Sequence, residues 1–435
     1  MAFPATAPPI TIDGRRYLDG GLWELAAAAV VAINPDPAAM AAFGPGLCDR
    51  AACTRRRCPA PDESRGWCRP DGRCAADGSV TTLSTMIMSR LLTVVAVLLL
   101  GLSAPASAAE PTALLSPDGK YPIGLRTLHL TDTGRADPWV PSERRELMVS
   151  LWYPAFPAGE RADYLTAAES AATVKGRGLD LPADTLQRIG VHARKDAPAL
   201  PSAGRGRPLV LLSPGAGNSR TTLTTLAENL AANGFVVAAV DHAYEAYNVE
   251  FPGGRLLPCL ACQAPGEPWP AAVENRAEDM SFVVDTVLGQ RSPRIDPARI
   301  GMAGHSAGGA ATAFTMAADR RVKAGVSLDG PLYRPVALDR PFALLTSPVG
   351  EQQFGAGWDA GWPALTGWKE RRHLPQTGHS SSTDNGYLTV ALHQKDKVPP
   401  ATWERQYGSG DPTASLEFFR DYLVGFFQAR LNPAG

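Results

Sequence analysis

The sequence lacks a charge excess. Its 42 Lys and Arg stand against 43 Asp and Glu, a net charge of −1 at pH 7, so no basic field exists to hold a phosphate backbone or an anionic membrane surface, and nucleic acid is excluded as a natural partner. It also lacks a long hydrophobic run: the apolar stretch Leu91–Leu102 is about a dozen residues, where a spanning helix needs roughly 20. No stable membrane anchor is expected. The five cysteines before residue 80 lack zinc-ligand spacing, with no paired Cys-x-x-Cys units and no His among them, and there is no internal repeat. What is present is ample for a folded enzyme: 435 residues, 45% of them apolar, can bury a full core and still carry appendages. Gly (42) and Pro (39) are abundant, but they punctuate apolar runs and form no low-complexity tract.

From Met88 the chain reads Met-Ser-Arg, then Leu91–Leu102, then the small residues Ala106, Ser107 and Ala108. A positive start, a short apolar run and a small-residue site are the parts of a secretory signal peptide, with cleavage after Ala108. No Cys follows the cleavage site, so a lipid attached there has no acceptor. The upstream stretch holds Cys48, Cys53, Cys58, Cys68 and Cys74 and the run Arg55, Arg56, Arg57. Residues 1–85 read as a non-native or disordered Cys-rich extension, with a genuine Cys-rich module as the alternative, residues 86–108 as the signal peptide, and 109–435 as the catalytic domain. The expected location is therefore secreted or extracytoplasmic. Under export, Cys259 and Cys262, bracketed by Pro258 and Pro268 in a loop, are expected to form a small local disulfide; a redox motif would instead open a helix.

After residue 110 two strands are expected, Leu125–Leu130 and Glu146–Tyr153, then broken helix over Ala162–His192. A β/α rhythm follows. Pro208–Leu212, Phe235–Val240, Arg299–Ala303, Val322–Leu328 and Phe342–Thr346 are short apolar runs suited to strands buried on both faces. Thr221–Asn233, Ala271–Leu288, Ala307–Ala318 and Leu416–Leu431 carry helical spacing. Such alternation predicts an α/β fold, a mostly parallel central sheet with helices on both faces in a three-layer sandwich, with ligands beyond the carboxyl ends of the strands.

Between a strand and an Ala/Gly-rich helix stands Gly304-His305-Ser306-Ala307-Gly308. A Gly-x-Ser-x-Gly in that setting is a nucleophile elbow, with glycines where side chains would collide and the serine projecting at the sheet edge. Ser306 needs a base, and the chain order Ser, acid, His leaves His373, His379 and His393 downstream. His379, in a loop, is best placed; His373 falls at a strand start and His393 in a helix. Asp329, at the carboxyl end of the strand after the elbow, is the acid expected to orient the imidazole, with Asp359 its rival. The oxyanion donors are expected to be the N–H of Ala307 and, from the loop Ser213–Asn218, that of Ala216, with Gly215 or Gly217 as neighbours in the same role. Asp241 and His242, which end a strand, line the pocket or form a structural pair. Neither metal nor cofactor is required.

Taken together, Arg145–Pro154, Leu209–Gly217, Gly234–His242, Arg276 and Asp279, Gly304–Gly309, Leu328-Asp329 and Gly378-His379 resemble the platelet-activating-factor acetylhydrolase branch of the α/β-hydrolases and its exported bacterial lipase-like relatives. The resemblance implies the α/β-hydrolase fold, takes the acid from the strand directly after the elbow, favouring Asp329, and places the second oxyanion donor at Ala216. The chain departs from the pattern at Pro214, where that family often has His. The expectation is a serine hydrolase of a small-molecule or lipid-like ester, acting through an acyl-enzyme. Polyester or cutin-type hydrolysis, acyl transfer to an alcohol and a non-catalytic binding role are the alternatives. Oligomeric state has no signature in the sequence.

Overall fold

A computed structural model describes residues 112–202 and 204–432, with the backbone of a short antiparallel pair, β1 (Ile10–Ile12) and β2 (Arg15–Tyr17). The signal-like stretch 88–108 and the five cysteines before it lie outside the described residues. The chain divides into two units, Met1–Ala104 and Pro105–Gly435, and the second carries the chemistry.

Its frame is set by apolar runs too short for helices and too uniformly apolar for a half-exposed sheet. These become β6 (Arg207–Ser213), β7 (Val236–His242), β10 (Ile295–His305), β11 (Val322–Leu328) and β12 (Phe342–Thr346). With β3 (Ile123–Ala136), β4 (Arg144–Pro154), β5 (Arg194–Lys195) and β13 (Lys369–His373) they form a nine-stranded sheet of order β13-β12-β11-β10-β6-β7-β4-β3-β5. Only β4 runs against the other strands of this sheet, pairing antiparallel with both β3 and β7. Strands β8 (Val249–Phe251) and β9 (Arg255–Leu257) make a separate hairpin.

Both faces are covered, because successive side chains on a strand point to opposite sides. On β6, Leu209 and Leu211 join a core with Met280, Val284, Ala310 and Phe314, from α3 (Trp269–Leu288) and α4 (Ala307–Ala318). Val210 and Leu212 point the other way, against Leu226, Leu230, Leu416 and Phe427 of α2 (Thr224–Ala232) and α8 (Pro412–Leu431). Each such side chain contributes roughly 1.5–3 kcal/mol of burial. The three remaining helices of eight residues or more on the carboxyl side are α5 (Pro348–Gly361), α6 (Asp384–Ala391) and α7 (Pro400–Tyr407), while α1 (Ala167–Gly176) precedes the sheet core. This is the expected three-layer α/β arrangement, with an open sheet.

Several expectations shift. Of Ala162–His192 only α1 is helical, and turns and bends occupy most of the rest. The helix expected from Thr221 begins as a 3-10 turn, Arg220–Leu223, because Ser219 caps that turn by accepting from Thr221 N–H. His373 ends its strand and does not start it, and His393 lies just beyond α6 with φ +55°. Asp359, the rival acid, sits in the last turn of α5. Among the described residues no helix is long and apolar enough to cross a membrane.

Candidate active site

The elbow forms where β10 must turn directly into α4. Ser306, between them, has φ 54° and ψ −119°, a conformation costing a side-chain-bearing residue on the order of 1–3 kcal/mol. The glycines are what make the turn possible. A Cβ on Gly304 would lie 2.2 Å from the Gly308 carbonyl oxygen, and one on Gly308 only 1.9 Å from that of Ser213. The backbone is tied to the neighbouring strand by Ser306 N–H donating to the Leu328 carbonyl, 2.9 Å.

Across from Ser306 the fold brings His379 and Asp329. His379 Nε2 lies 2.9 Å from Ser306 Oγ, and its Nδ1 lies 2.7 Å from Asp329 Oδ2. Asp329 follows β11 with φ 54° and is 5% exposed. Its carboxylate also accepts from the N–H and the hydroxyl of Ser347, 2.8 Å each. Three donors on its two oxygens fix the plane of the carboxylate, and its bond to Nδ1 sets the tautomer of His379. The loop carrying His379 is held by α7, since the His379 and Ser380 N–H groups donate to Arg405 and Gln406 carbonyls at 2.9 and 2.7 Å.

The other candidates are elsewhere. Asp359 is 72% exposed at its side chain and pairs with Arg371, 2.6 Å. His373 is half exposed near Glu351. Asp241 and His242 are buried but do not pair with each other: Asp241 pairs with Arg220, and His242 Nδ1 lies 2.7 Å from Asp279. The Ser213–Asn218 loop comes beside the elbow, as a Cβ on Gly215 would meet Ser306 Cβ at 3.2 Å. In that loop the Gly217 N–H is committed to the Glu245 carbonyl, 3.0 Å, whereas among the described residues those of Gly215 and Ala216 have no partner. Ala307 opens α4, where the first N–H groups have no partner within the helix. Cys259 and Cys262 are disulfide-bonded, with Cα atoms 5.3 Å apart, and Cys262 Sγ would lie 3.3 Å from a Cβ on Gly217.

Two supporting residues escape sequence inspection. Ser347, which clamps Asp329, carries a faint signal in Ser347-Pro348, a cap residue followed by Pro at a helix start. His305, inside the elbow, donates from Nε2 to the His379 carbonyl, 2.8 Å. Its Nδ1 is buried without a partner among the described residues. Burial, and then the neighbouring His379, push the His305 pKa down to about 3, so it is a neutral strut and not a second base. Phe354 of α5 packs its ring 6.0 Å from that of His379. Among the described residues no group of three or more His, Cys, Asp or Glu is placed to hold a metal ion.

Residues 150–249 match the family model for platelet-activating factor acetylhydrolase, isoform II, the stretch that contains β6, the Ser213–Asn218 loop and β7. A protein of Arthroderma benhamiae described as a probable 1-alkyl-2-acetylglycerophosphocholine esterase is 28% identical over 362 residues, covering 76% of this chain and 91% of that protein. The platelet-activating factor acetylhydrolase of Cavia porcellus is 24% identical, covering 52% of this chain and 57% of its own length. The solved ferulic acid esterase of Streptomyces cinnamoneus is 39% identical with a TM-score of 0.67, covering 75% of this chain and 94% of that one. The chain belongs to the α/β-hydrolase esterases and is similar to the platelet-activating-factor acetylhydrolases. This esterase is accordingly a hydrolase of carboxylic ester bonds. Pro214 does not break the loop of the esterase, because its carbonyl is held from below by Arg276, 2.6 Å.

Proposed function

We propose that this esterase cleaves neutral, lipid-like or aromatic esters outside the cytoplasm, in two steps, with Ser306 as nucleophile. The observation that carries the proposal is the unbroken hydrogen-bond line from Asp329 through His379 to the Ser306 hydroxyl. In the first step Ser306 Oγ attacks the ester carbonyl while His379 Nε2 takes its proton, and Asp329 faces the imidazolium that forms. The N–H groups of Ala216 and Ala307 receive the oxyanion, each worth roughly 3–4 kcal/mol. The alcohol leaves with the proton returned by His379, and the acyl group remains on Ser306. Water, deprotonated by the same imidazole, then releases the carboxylic acid and restores the serine.

Relatives named for an acetyl ester of an alkyl glycerophosphocholine and for a ferulic acid ester support an uncharged ester at the reacting centre with varied groups around it. Phe354 beside His379 and the half-exposed Tyr247 beside Gly217 supply aromatic surface for either. Turnover of p-nitrophenyl acetate, an acetylated alkyl glycerophosphocholine and ethyl ferulate by wild type and Ser306→Ala tests the proposal. Loss of all turnover in Ser306→Ala is expected; retained hydrolysis would overturn it. Export is favoured by the signal-like Met88–Ala108 stretch and by the Cys259–Cys262 disulfide, since disulfides persist in oxidising compartments. The mature protein recovered from culture medium should begin at Ala109 by mass. Retention inside the cell with residues 88–108 attached would contradict export.

A further inference from the structure

Beneath the Ser213–Asn218 loop lies a cluster of charged groups that the two-step chemistry does not use. Arg276 of α3 donates from Nε to Glu245, 2.7 Å, and from a terminal nitrogen to the Pro214 carbonyl, 2.6 Å. The same terminal nitrogen is 3.3 Å from Ser213 Oγ. Glu245 is held on its other oxygen by Arg145, 3.0 Å, and Arg145 in turn pairs with Asp279, 2.7 Å. Asp279 orients His242, whose Nε2 returns to Ser213 Oγ at 3.1 Å. Ser213, His242 and Asp279 thus repeat the connectivity of the catalytic line, yet all are at most 2% exposed, and no ester reaches them. Burial opposes ionisation of Asp279, but Arg145 and His242 outweigh it and hold its carboxyl well below the usual range. Burial, with Arg276 nearby, pushes the His242 pKa down.

The loop is gripped at two points by this one cluster. Arg276 holds the Pro214 carbonyl, and the backbone carbonyl of Glu245 accepts the Gly217 N–H. Between those points lie only Gly215 and Ala216, whose N–H groups stay free among the described residues. A buried ion cluster is a poor source of stability, because desolvation cancels most of its Coulomb gain. It is a good source of fixed geometry, because a guanidinium presents its donors in a rigid fork. Fixed donors are what an oxyanion site needs, since their value lies in costing no reorganisation when charge develops.

We propose that Arg276 is a positioning residue of the oxyanion site: braced by Glu245, its guanidinium fixes the Pro214 carbonyl and so aims the Ala216 N–H at the tetrahedral intermediate. The proposal rests on Ser306 being the nucleophile. It explains how a chain with Pro214 keeps the loop in shape, as the pyrrolidine ring fixes φ while the Pro214 carbonyl remains free to be clamped.

The test is steady-state kinetics of Arg276→Lys and Ser213→Ala on p-nitrophenyl acetate, with thermal unfolding and the inhibition constant of a trifluoromethyl ketone. That inhibitor forms a tetrahedral oxyanion on the serine and so reads the oxyanion site directly. Lysine keeps the charge but cannot hold Glu245 and Pro214 with a planar fork. For Arg276→Lys, kcat should fall on the order of tenfold to a hundredfold, with KM within about threefold and ketone affinity falling by the factor lost from kcat. Ser213→Ala removes only a hydroxyl and should show the same split at roughly threefold to tenfold. Should Arg276→Lys not fold, Ser213→Ala decides alone. Unchanged kcat and ketone affinity in the folded variants would overturn the proposal, and so would lost activity that leaves ketone affinity at the wild-type value. Ser306→Ala is the separating control: if it still turns over ester, the nucleophile is wrong; if it is inactive while the Arg276 and Ser213 variants are normal, only the positioning role fails.

Discussion

Replacing Asp329 by Asn probes the proposed catalytic line at its least exposed member. Asp329 Oδ1 accepts from Ser347 N–H at 2.8 Å, and Oδ2 accepts from the Ser347 hydroxyl and from His379 Nδ1. An asparagine has one oxygen and one NH2 to place in these positions. With the NH2 at the Oδ1 position it would face the Ser347 N–H, donor against donor in a buried site, at a cost of about 1–3 kcal/mol. The favoured arrangement therefore puts the NH2 at the Oδ2 position, where it donates to His379 Nδ1. His379 must then carry its proton on Nε2 and point that proton at Ser306 Oγ, 2.9 Å away. A base so occupied cannot accept the serine proton. In a serine protease the same exchange removes about 10⁴ of kcat, equivalent to about 5 kcal/mol, and a loss of that order is expected here with KM little changed. The Ser347 hydroxyl can rotate to accept from the new NH2, so the melting temperature should move only a few degrees. Kinetics on p-nitrophenyl acetate with a parallel thermal melt supply both numbers. A folded Asp329→Asn with kcat within threefold of wild type would refute the reasoning, and an inactive Asp359→Asn would point to the rival acid, which the structure leaves on the surface with Arg371.

Three further outcomes are expected. His305→Phe strands the His379 carbonyl, so kcat/KM should fall on the order of tenfold, about the value of one hydrogen bond; because His305 stays neutral above about 3, the shape of the pH–rate profile from pH 5 to 9 should not change, and an unaltered kcat/KM would count against the strut. Asp384, at the start of α6, has its carboxyl pushed by burial up to about 7, against about 4 in an unfolded chain. Between those values the native state keeps a proton the unfolded chain has lost, so its stabilisation is full below about 4 and is lost as pH rises through about 7; Asp384→Asn, always neutral, should gain melting temperature over wild type at pH 8 and much less at pH 5, and an equal difference at both would dismiss the shift. The Cys259–Cys262 loop is short, with a sequence separation of 3, so chain entropy assigns the bond only about 2 kcal/mol; Cys259→Ser/Cys262→Ser should lower urea-unfolding stability by about that much, and no measurable change would show that the loop holds its shape without the bond.

The parts of the fold legible in the sequence were those whose local pattern has one physical reading. Val322–Leu328 and Phe342–Thr346 are strands over the expected residues, since apolar runs of that length between turns fit only the buried middle of a sheet. The elbow was legible for the same reason: strand, glycines, serine and small-residue helix are contiguous. Strand β13 was not, because Lys369-Glu370-Arg371-Arg372-His373 is charged throughout, and an edge strand needs no apolar alternation. Helix α5 was hidden by Gly350, Gly355, Gly357 and Gly361, residues that argue against a helix locally and are outvoted by packing of Trp358 into the core. Least legible was the cluster under the Ser213–Asn218 loop. Arg145, Glu245, Arg276 and Asp279 come from β4, the turn after β7 and α3, and no local spacing announces that charges from three separate segments will meet in the buried interior.

The most direct measurement is the intact mass and peptide map of the folded esterase after reaction with a fluorophosphonate, beside Ser306→Ala treated identically. A single phosphonyl adduct on the peptide carrying Ser306, formed as ester hydrolysis disappears and absent from Ser306→Ala, is the predicted result. An adduct on another residue, or full labelling of Ser306 with hydrolysis undiminished, would contradict the assignment of Ser306 as the nucleophile.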